Sequence, residues 1–255
     1  MRRLRGLSLA VVAALALASP AHAGASAFSR WAAIFIAGDD HAHSGARSEV
    51  FDNARRDLEA AFAKAGFSTA NMAQFSVHPE DYPHENVLPA VPAVMADKLK
   101  ALAAQATGGC LVYITSHGGP DGVIVLGPNV FTSAGVASMV DDACGERPTV
   151  VVVSACFSGA FIPPLSAPDR AVFTAARPDR TSFGCGESDR YTYFDTCVLG
   201  ELPGAHDFAA LGRAVQACVA KREADMGAQP PSEPQVWVGP QLAPDLPLMA
   251  FAAPP

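Results

Sequence analysis

The sequence predicts an α/β sandwich built on a mostly parallel sheet, and three observations carry that expectation. Residues 149–153 are an unbroken run, Thr-Val-Val-Val-Val, and residues 110–114 are a second, Cys-Leu-Val-Tyr-Ile. Runs this short and this apolar fit strands buried on both faces, as a parallel sheet requires. Stretches of helical period lie between such runs, so strand and helix alternate along the chain. Both runs also end in a polar turn with glycine: Ser116-His117-Gly118-Gly119 after one, Ser154-Ala155-Cys156 and then Gly159 after the other. Open α/β sheets bind their ligands beyond the carboxyl ends of the strands.

The first residues read as a secretory signal peptide. Arg2, Arg3 and Arg5 form a basic start, residues 7–18 are apolar, and Ala21-His22-Ala23 fits the small-x-small rule for cleavage after Ala23. The apolar stretch is too short to span a bilayer, which argues against the alternative of an uncleaved anchor. The expected product is one domain over residues 24–241 with a Pro-rich tail at 242–255, in the periplasm or the medium. It has no membrane span. Its oligomeric state is left open.

Residues 31–37 form the first expected strand, followed by a polar loop with Asp39, Asp40, His41 and His43. Val50, Ala54, Leu58, Ala61, Phe62 and Ala65 recur at helical spacing, so residues 48–65 read as a helix that Gly66 ends. A strand is expected within 67–77, a loop at 78–84 and an Ala-rich helix at 91–106. The 110–114 strand comes next, then a glycine turn, a short strand at 123–126 and a helix over 132–143. After the 149–153 strand, residues 157–165 suggest a short helix or wall, because Gly159, Pro163 and Pro164 interrupt them. Residues 170–176 read as a strand and 179–193 as a polar pocket wall. Phe208, Leu211, Val215, Cys218 and Val219 mark one face of a helix over 206–222. Residues 235–238 form a last strand, and the tail beyond them packs irregularly or stays mobile. There is no internal repeat.

Composition narrows the function. The chain has 18 Lys and Arg against 25 Asp and Glu, and loss of the leader leaves 15 against 25, a net of −10. No basic patch stands out, so neither nucleic acid nor an anionic membrane surface is an expected partner. No Gly-x-Gly-x-x-Gly or Walker pattern follows the first strand, which argues against nucleotide binding. The Asp/His cluster at 39–43 reads as a solvated or substrate-facing loop. A metal-dependent hydrolase would need further ligands that the chain does not supply in any clear pattern. No metal or cofactor is expected.

Cysteines 110, 144, 156, 185, 197 and 218 would meet an oxidising compartment after export. With Cys156 free, two bridges and one spare thiol remain. The first pairing expected is Cys185–Cys197, across one loop. The second is Cys110–Cys144, which precede two neighbouring strands. Pairing does not follow from sequence alone.

Cys156 and His117 are the candidate catalytic pair. A lone cysteine or histidine at a strand end is more often structural. Two of them at matched strand ends, 39 positions apart with room for one crossover, are a different matter. A thiolate attacks where a thiol does not, so a nucleophilic cysteine needs a base close by.

The order strand–His117-Gly118-Gly119, short strand, helix, strand–Ala155-Cys156-x-Ser158-Gly159 resembles the legumain-type cysteine peptidases of family C13, relatives of the caspases. Residues 31–38, Thr174-Ala175-Ala176, Ser182-Phe-Gly-Cys185 and Tyr191-Thr-Tyr193 extend the resemblance to about 31–239. It implies a caspase–hemoglobinase-like three-layer sandwich and an endopeptidase acting on a peptide or protein. Cys156 would form an acyl-enzyme, His117 would be acid and base, and the Gly118 and Cys156 N–H groups would form the oxyanion hole. Arg47, Ser154, Ser182 and Asp195 would bind substrate. Two positions depart from the pattern: Ser154 stands where many members carry an acid, and Ser116 where legumain has Asp. No clear partner replaces the Asn that orients the catalytic histidine in legumain. Asn specificity is therefore not expected to carry over. A transpeptidase using the same pair, or a non-catalytic caspase-like binding module, are the alternatives.

Overall fold

The computed structural model describes residues 26–252, so the expected signal peptide lies outside the described residues. In chain order the elements are β1 (Trp31–Ala37), α1 (Val50–Lys64), β2 (Met72–Ser76), β3 (Val87–Pro89), α2 (Pro92–Gln105), β4 (Gly109–Thr115) and β5 (Gly118–Gly119). Then come β6 (Val123–Leu126), β7 (Asn129–Thr132), α3 (Ser133–Cys144), β8 (Thr149–Ser154), α4 (Ile162–Leu165), β9 (Arg170–Thr174), α5 (Tyr193–Glu201), α6 (Phe208–Met226) and β10 (Gln235–Val238).

Seven strands form the main sheet in the order β10-β9-β8-β4-β1-β2-β3. All pairs are parallel except β10 with β9. Every residue of β1, β4 and β8 is buried, as their unbroken apolar runs require. Side chains alternate across the sheet. Ala32, Ile34 and Ile36 join Val112, Ile114, Val151 and Val153 in one apolar layer with Met95 and Leu99 of α2 and Val136 and Val140 of α3. Trp31, Ala33 and Phe35 join Tyr113, Val150 and Val152 in the other, under Leu58 and Phe62 of α1, Phe194 of α5 and Phe208 and Val215 of α6. The result is the expected three-layer α/β sandwich. A second sheet, β5-β6-β7, stands beside the carboxyl end of β4.

The tail packs as far as it is described. Leu242, Leu246 and Phe251 are buried, and Phe251 lies 4.9 Å from the Phe208 ring and 5.0 Å from Phe28. One helix, α5, has no counterpart in the sequence reading. Its start is nevertheless marked: the Thr192 hydroxyl accepts from the Asp195 amide, a Thr-x-x-Asp cap.

The cysteines correct one expectation. Cys110 pairs with Cys144, tying the start of β4 to the end of α3. Cys197, however, pairs with Cys218, and Cys185 is a free thiol. The reason is α5: it turns Cys197 inward against the apolar face of α6, while Cys185 stays in the preceding loop beside Phe51. The bridges span 34 and 21 residues. By loop entropy each contributes about 3–4 kcal/mol. Replacing Cys197 and Cys218 together by Ala is expected to lower urea-unfolding stability by about that much. Replacing Cys185 leaves this bridge intact, which peptide mapping without reductant checks.

Candidate active site

The β4–β8 ladder runs from Cys110 opposite Thr149 to Thr115 opposite Ser154. His117 and Cys156 each lie two residues past the last pair, so the register that joins the strands also brings these residues to one edge. Ser116 N–H donates to the Ser154 carbonyl at 3.1 Å and carries the alignment one step further. Gly118 then closes on the Cys156 backbone. A Cβ on Gly118 would stand 2.2 Å from the Cys156 carbonyl oxygen, so only glycine fits there.

Cys156 is a half-buried free thiol. Its sulfur accepts from the Ser182 N–H at 3.3 Å and lies 3.6 Å from the Ser182 hydroxyl. The turn is held from behind. Phe157 sits at φ +56, a left-handed conformation that a bulky residue rarely adopts, and its N–H donates to the Arg180 carbonyl at 2.7 Å. Ser158 is buried and its hydroxyl accepts from the Ala176 N–H.

His117 is half-buried, with the Phe51 ring edge-on at 5.0 Å. Its Nε2 lies 3.1 Å from the His41 carbonyl oxygen. A carbonyl only accepts, so Nε2 carries the proton and Nδ1 is left for chemistry. The histidine is thus oriented by main chain, where the sequence offered no side chain for the task. The loop supplying that carbonyl is fixed: Asp39 Oδ1 accepts from the N–H groups of Asp40 and His41, and Ser48 N–H donates to the Asp40 carbonyl. Asp39, Asp40 and His41 cluster, but Asp40 also pairs with Arg47 and His78. His43 lies apart, its ring 6.5 Å from His117. No hydrogen bond joins the Cys156 sulfur to the His117 ring among the described residues, a spacing common before substrate arrives.

The residues expected to bind substrate separate into two groups. Arg47 lines an open cavity of about 590 Å³ with Asp40, Asp52, Asp81, Glu187 and Asp189, and its guanidinium reaches Asp81 at 2.7 Å and Asp40 at 3.1 Å. The loops that form this cavity also hold the His41 carbonyl and Ser182. A more apolar groove of about 420 Å³ lies elsewhere, along α1 and α5, and none of the site residues line it. Ser154 and Asp195 belong to the second group. Both are fully buried, which removes them from contact with a substrate in this structure and corrects their expected place. Asp195 accepts from the Tyr113 hydroxyl at 2.7 Å and the Thr115 hydroxyl at 2.6 Å, and Ser154 meets Thr192 at 3.2 Å. They form a polar support beneath the strand ends. Burial pushes Asp195 above the usual carboxylate range, against the pull of those hydroxyls.

The family model described as the peptidase C13 family matches residues 47–202. Among solved structures, caspase-1 from Spodoptera frugiperda superposes with a TM-score of 0.61 at 17% identity, over 84% of this chain and 88% of that one. The likeness shows the fold. No curated protein matches the chain. The chain belongs to the peptidase C13 family, with a caspase-like fold. Its function is of the cysteine-peptidase type, and its substrates are peptides or proteins. Among the described residues no helix is long and apolar enough to cross a membrane.

Asp195 offers a test of the support. A carboxyl that binds its proton more tightly when folded stabilises the fold at low pH and loses that contribution as pH rises past its unfolded value, about 4. Asp195→Asn lacks this dependence, so its urea-unfolding stability relative to wild type is expected to increase with pH from there upward. Asp195→Ala leaves two buried hydroxyls without an acceptor, at a cost of about 1–3 kcal/mol each.

Proposed function

We propose that the protein is an exported cysteine endopeptidase whose nucleophile is Cys156 and whose acid and base is His117. The observation that carries this reading is the β4–β8 register, which aligns the two residues at one sheet edge, where they meet the two loops that also line the polar cavity around Arg47. His117 Nδ1 takes the thiol proton, and the Cys156 sulfur attacks the scissile carbonyl. The oxygen gathers charge against the N–H groups of Gly118 and Cys156, whose backbones touch. Nδ1 then gives its proton to the leaving amine, and the amine departs from the acyl-enzyme. Water, with His117 again as base, releases the acid and restores the thiol. The Ser182 N–H holds the Cys156 sulfur in place before attack. Arg47 and the carboxylates around it receive a polar substrate side chain. The two disulfides support an oxidising compartment and hence export to the periplasm or medium.

The test is hydrolysis of an internally quenched peptide library. Cys156→Ala is expected to abolish turnover, and His117→Ala to lower kcat/KM by about a thousandfold or more. Turnover that survives Cys156→Ala would remove the reading. Arg47→Ala is expected to raise KM for the preferred peptide while leaving alkylation of Cys156 by iodoacetamide unchanged; equal losses in both would argue that Arg47 shapes the loop and does not bind substrate.

A further inference from the structure

Among the described residues the four cysteines remote from the carboxyl edge are all paired, and the two free thiols both belong to segments at that edge, Cys156 just past β8 and Cys185 against Ala37 at the end of β1. Cys156 is bonded through its sulfur to Ser182, and Cys185 follows three residues later in the same loop. Cys185 packs on Ala37, Val50 and Phe51, and Phe51 is the ring that stands edge-on to His117. The Cys185 carbonyl accepts from His43 N–H at 3.0 Å, and the His43 ring faces His117. Both thiols are half-buried and so within reach of small solutes. Gly184, at φ +85, and Gly186 flank Cys185, so the backbone around it can turn without a Cβ to obstruct it.

The two thiols differ in character. Burial, and next the charge on Cys156, push the Cys185 thiol up to about 11. Cys185 is therefore neutral near pH 7 and does not compete as a nucleophile. A compartment that forms the other two bridges supplies oxidant to this pair as well.

We propose that Cys156 and Cys185 form a reversible disulfide, with Cys156 as the oxidised thiol, Cys185 as the resolving thiol, and a small hydroperoxide as the oxidant. The Cys156 thiolate attacks the terminal peroxide oxygen. The O–O bond breaks and the alcohol or water leaves, which gives a sulfenic acid at Cys156. Cys185 loses its proton and attacks that sulfur. The S–S bond forms, the S–O bond breaks, and hydroxide leaves with the proton as water. The two thiols have given two electrons to the peroxide. A dithiol returns them and restores both cysteines. In the bridged form the nucleophile is consumed and the sulfur has left the Ser182 N–H, so proteolysis stops. Only this consequence rests on the peptidase reading; the bond itself does not.

The experiment treats the purified, folded protein with hydrogen peroxide, then blocks free thiols and maps peptides with and without dithiothreitol. Wild type is expected to lose the mass of two hydrogens, to yield a Cys156–Cys185 linked peptide, and to regain most peptidase activity with dithiothreitol. Cys185→Ser and Cys185→Ala are expected to yield no linked peptide. In both, Cys156 proceeds to sulfinic and sulfonic acid and the lost activity does not return. Absence of the linked peptide in wild type, or full recovery in both variants, overturns the proposal even if every form hydrolyses peptides. A linked peptide in a protein without turnover upholds the bond and overturns the peptidase reading instead.

Discussion

The register between β4 and β8 is the constraint on which the rest of this structure depends. Six consecutive pairs, Cys110 with Thr149 through Thr115 with Ser154, hold one offset, and the same offset separates His117 from Cys156. A slip of one residue would turn every side chain of one strand to the wrong layer. Three features prevent it. Val112 and Ile114 face one apolar layer while Leu111 and Tyr113 face the other. The Cys110–Cys144 bridge anchors the amino end of β4. Asp195, bonded to Tyr113 and Thr115, anchors the carboxyl end directly beneath the site. The packed core and the candidate chemistry are thus two results of one pairing.

The site beyond that pairing is made largely of main chain. The His41 carbonyl sets the histidine tautomer, the Ser182 N–H addresses the sulfur, and the Gly118 and Cys156 backbones meet closely enough to exclude a Cβ. Main-chain groups on rigid loops are pre-aimed and cost little reorganisation when charge develops. The price is that loop conformation must be fixed, and the Asp39 turn, the Phe157 left-handed residue and the buried Ser158 hydroxyl fix it. Side-chain chemistry returns in the cavity around Arg47, where carboxylates outnumber cations.

This division explains what could be read from the sequence. The buried strands were legible because both-sided burial leaves an unbroken apolar run, and β10 was found at residues 235–238, as expected. That His117 and Cys156 share one edge was legible because each closely follows such a run. The pairing of Cys197 was not, because α5 lacks an apolar stripe of helical period and the bridge depends on which way that helix turns; its Thr192-x-x-Asp195 cap was the available signal. β3 has only three residues and ends in Pro, and β7 mixes Asn and Thr with two apolar residues, so neither shows an apolar run. Ser154 and Asp195 were read as substrate contacts because the family resemblance matches them to pocket positions, yet here both are buried and hydrogen-bonded in the interior. The carbonyl that orients His117 could not have been found, since any residue at position 41 offers one.

The most direct measurement of the central claim is covalent capture of the folded protein by peptidyl electrophiles that vary the residue before the warhead. Mass spectrometry locates the adduct in wild type and in His117→Ala. The account predicts an adduct on Cys156 alone, formed with a clear residue preference and much more slowly without His117. An unreactive Cys156 in a folded protein, or labelling that is indifferent to His117, would contradict it.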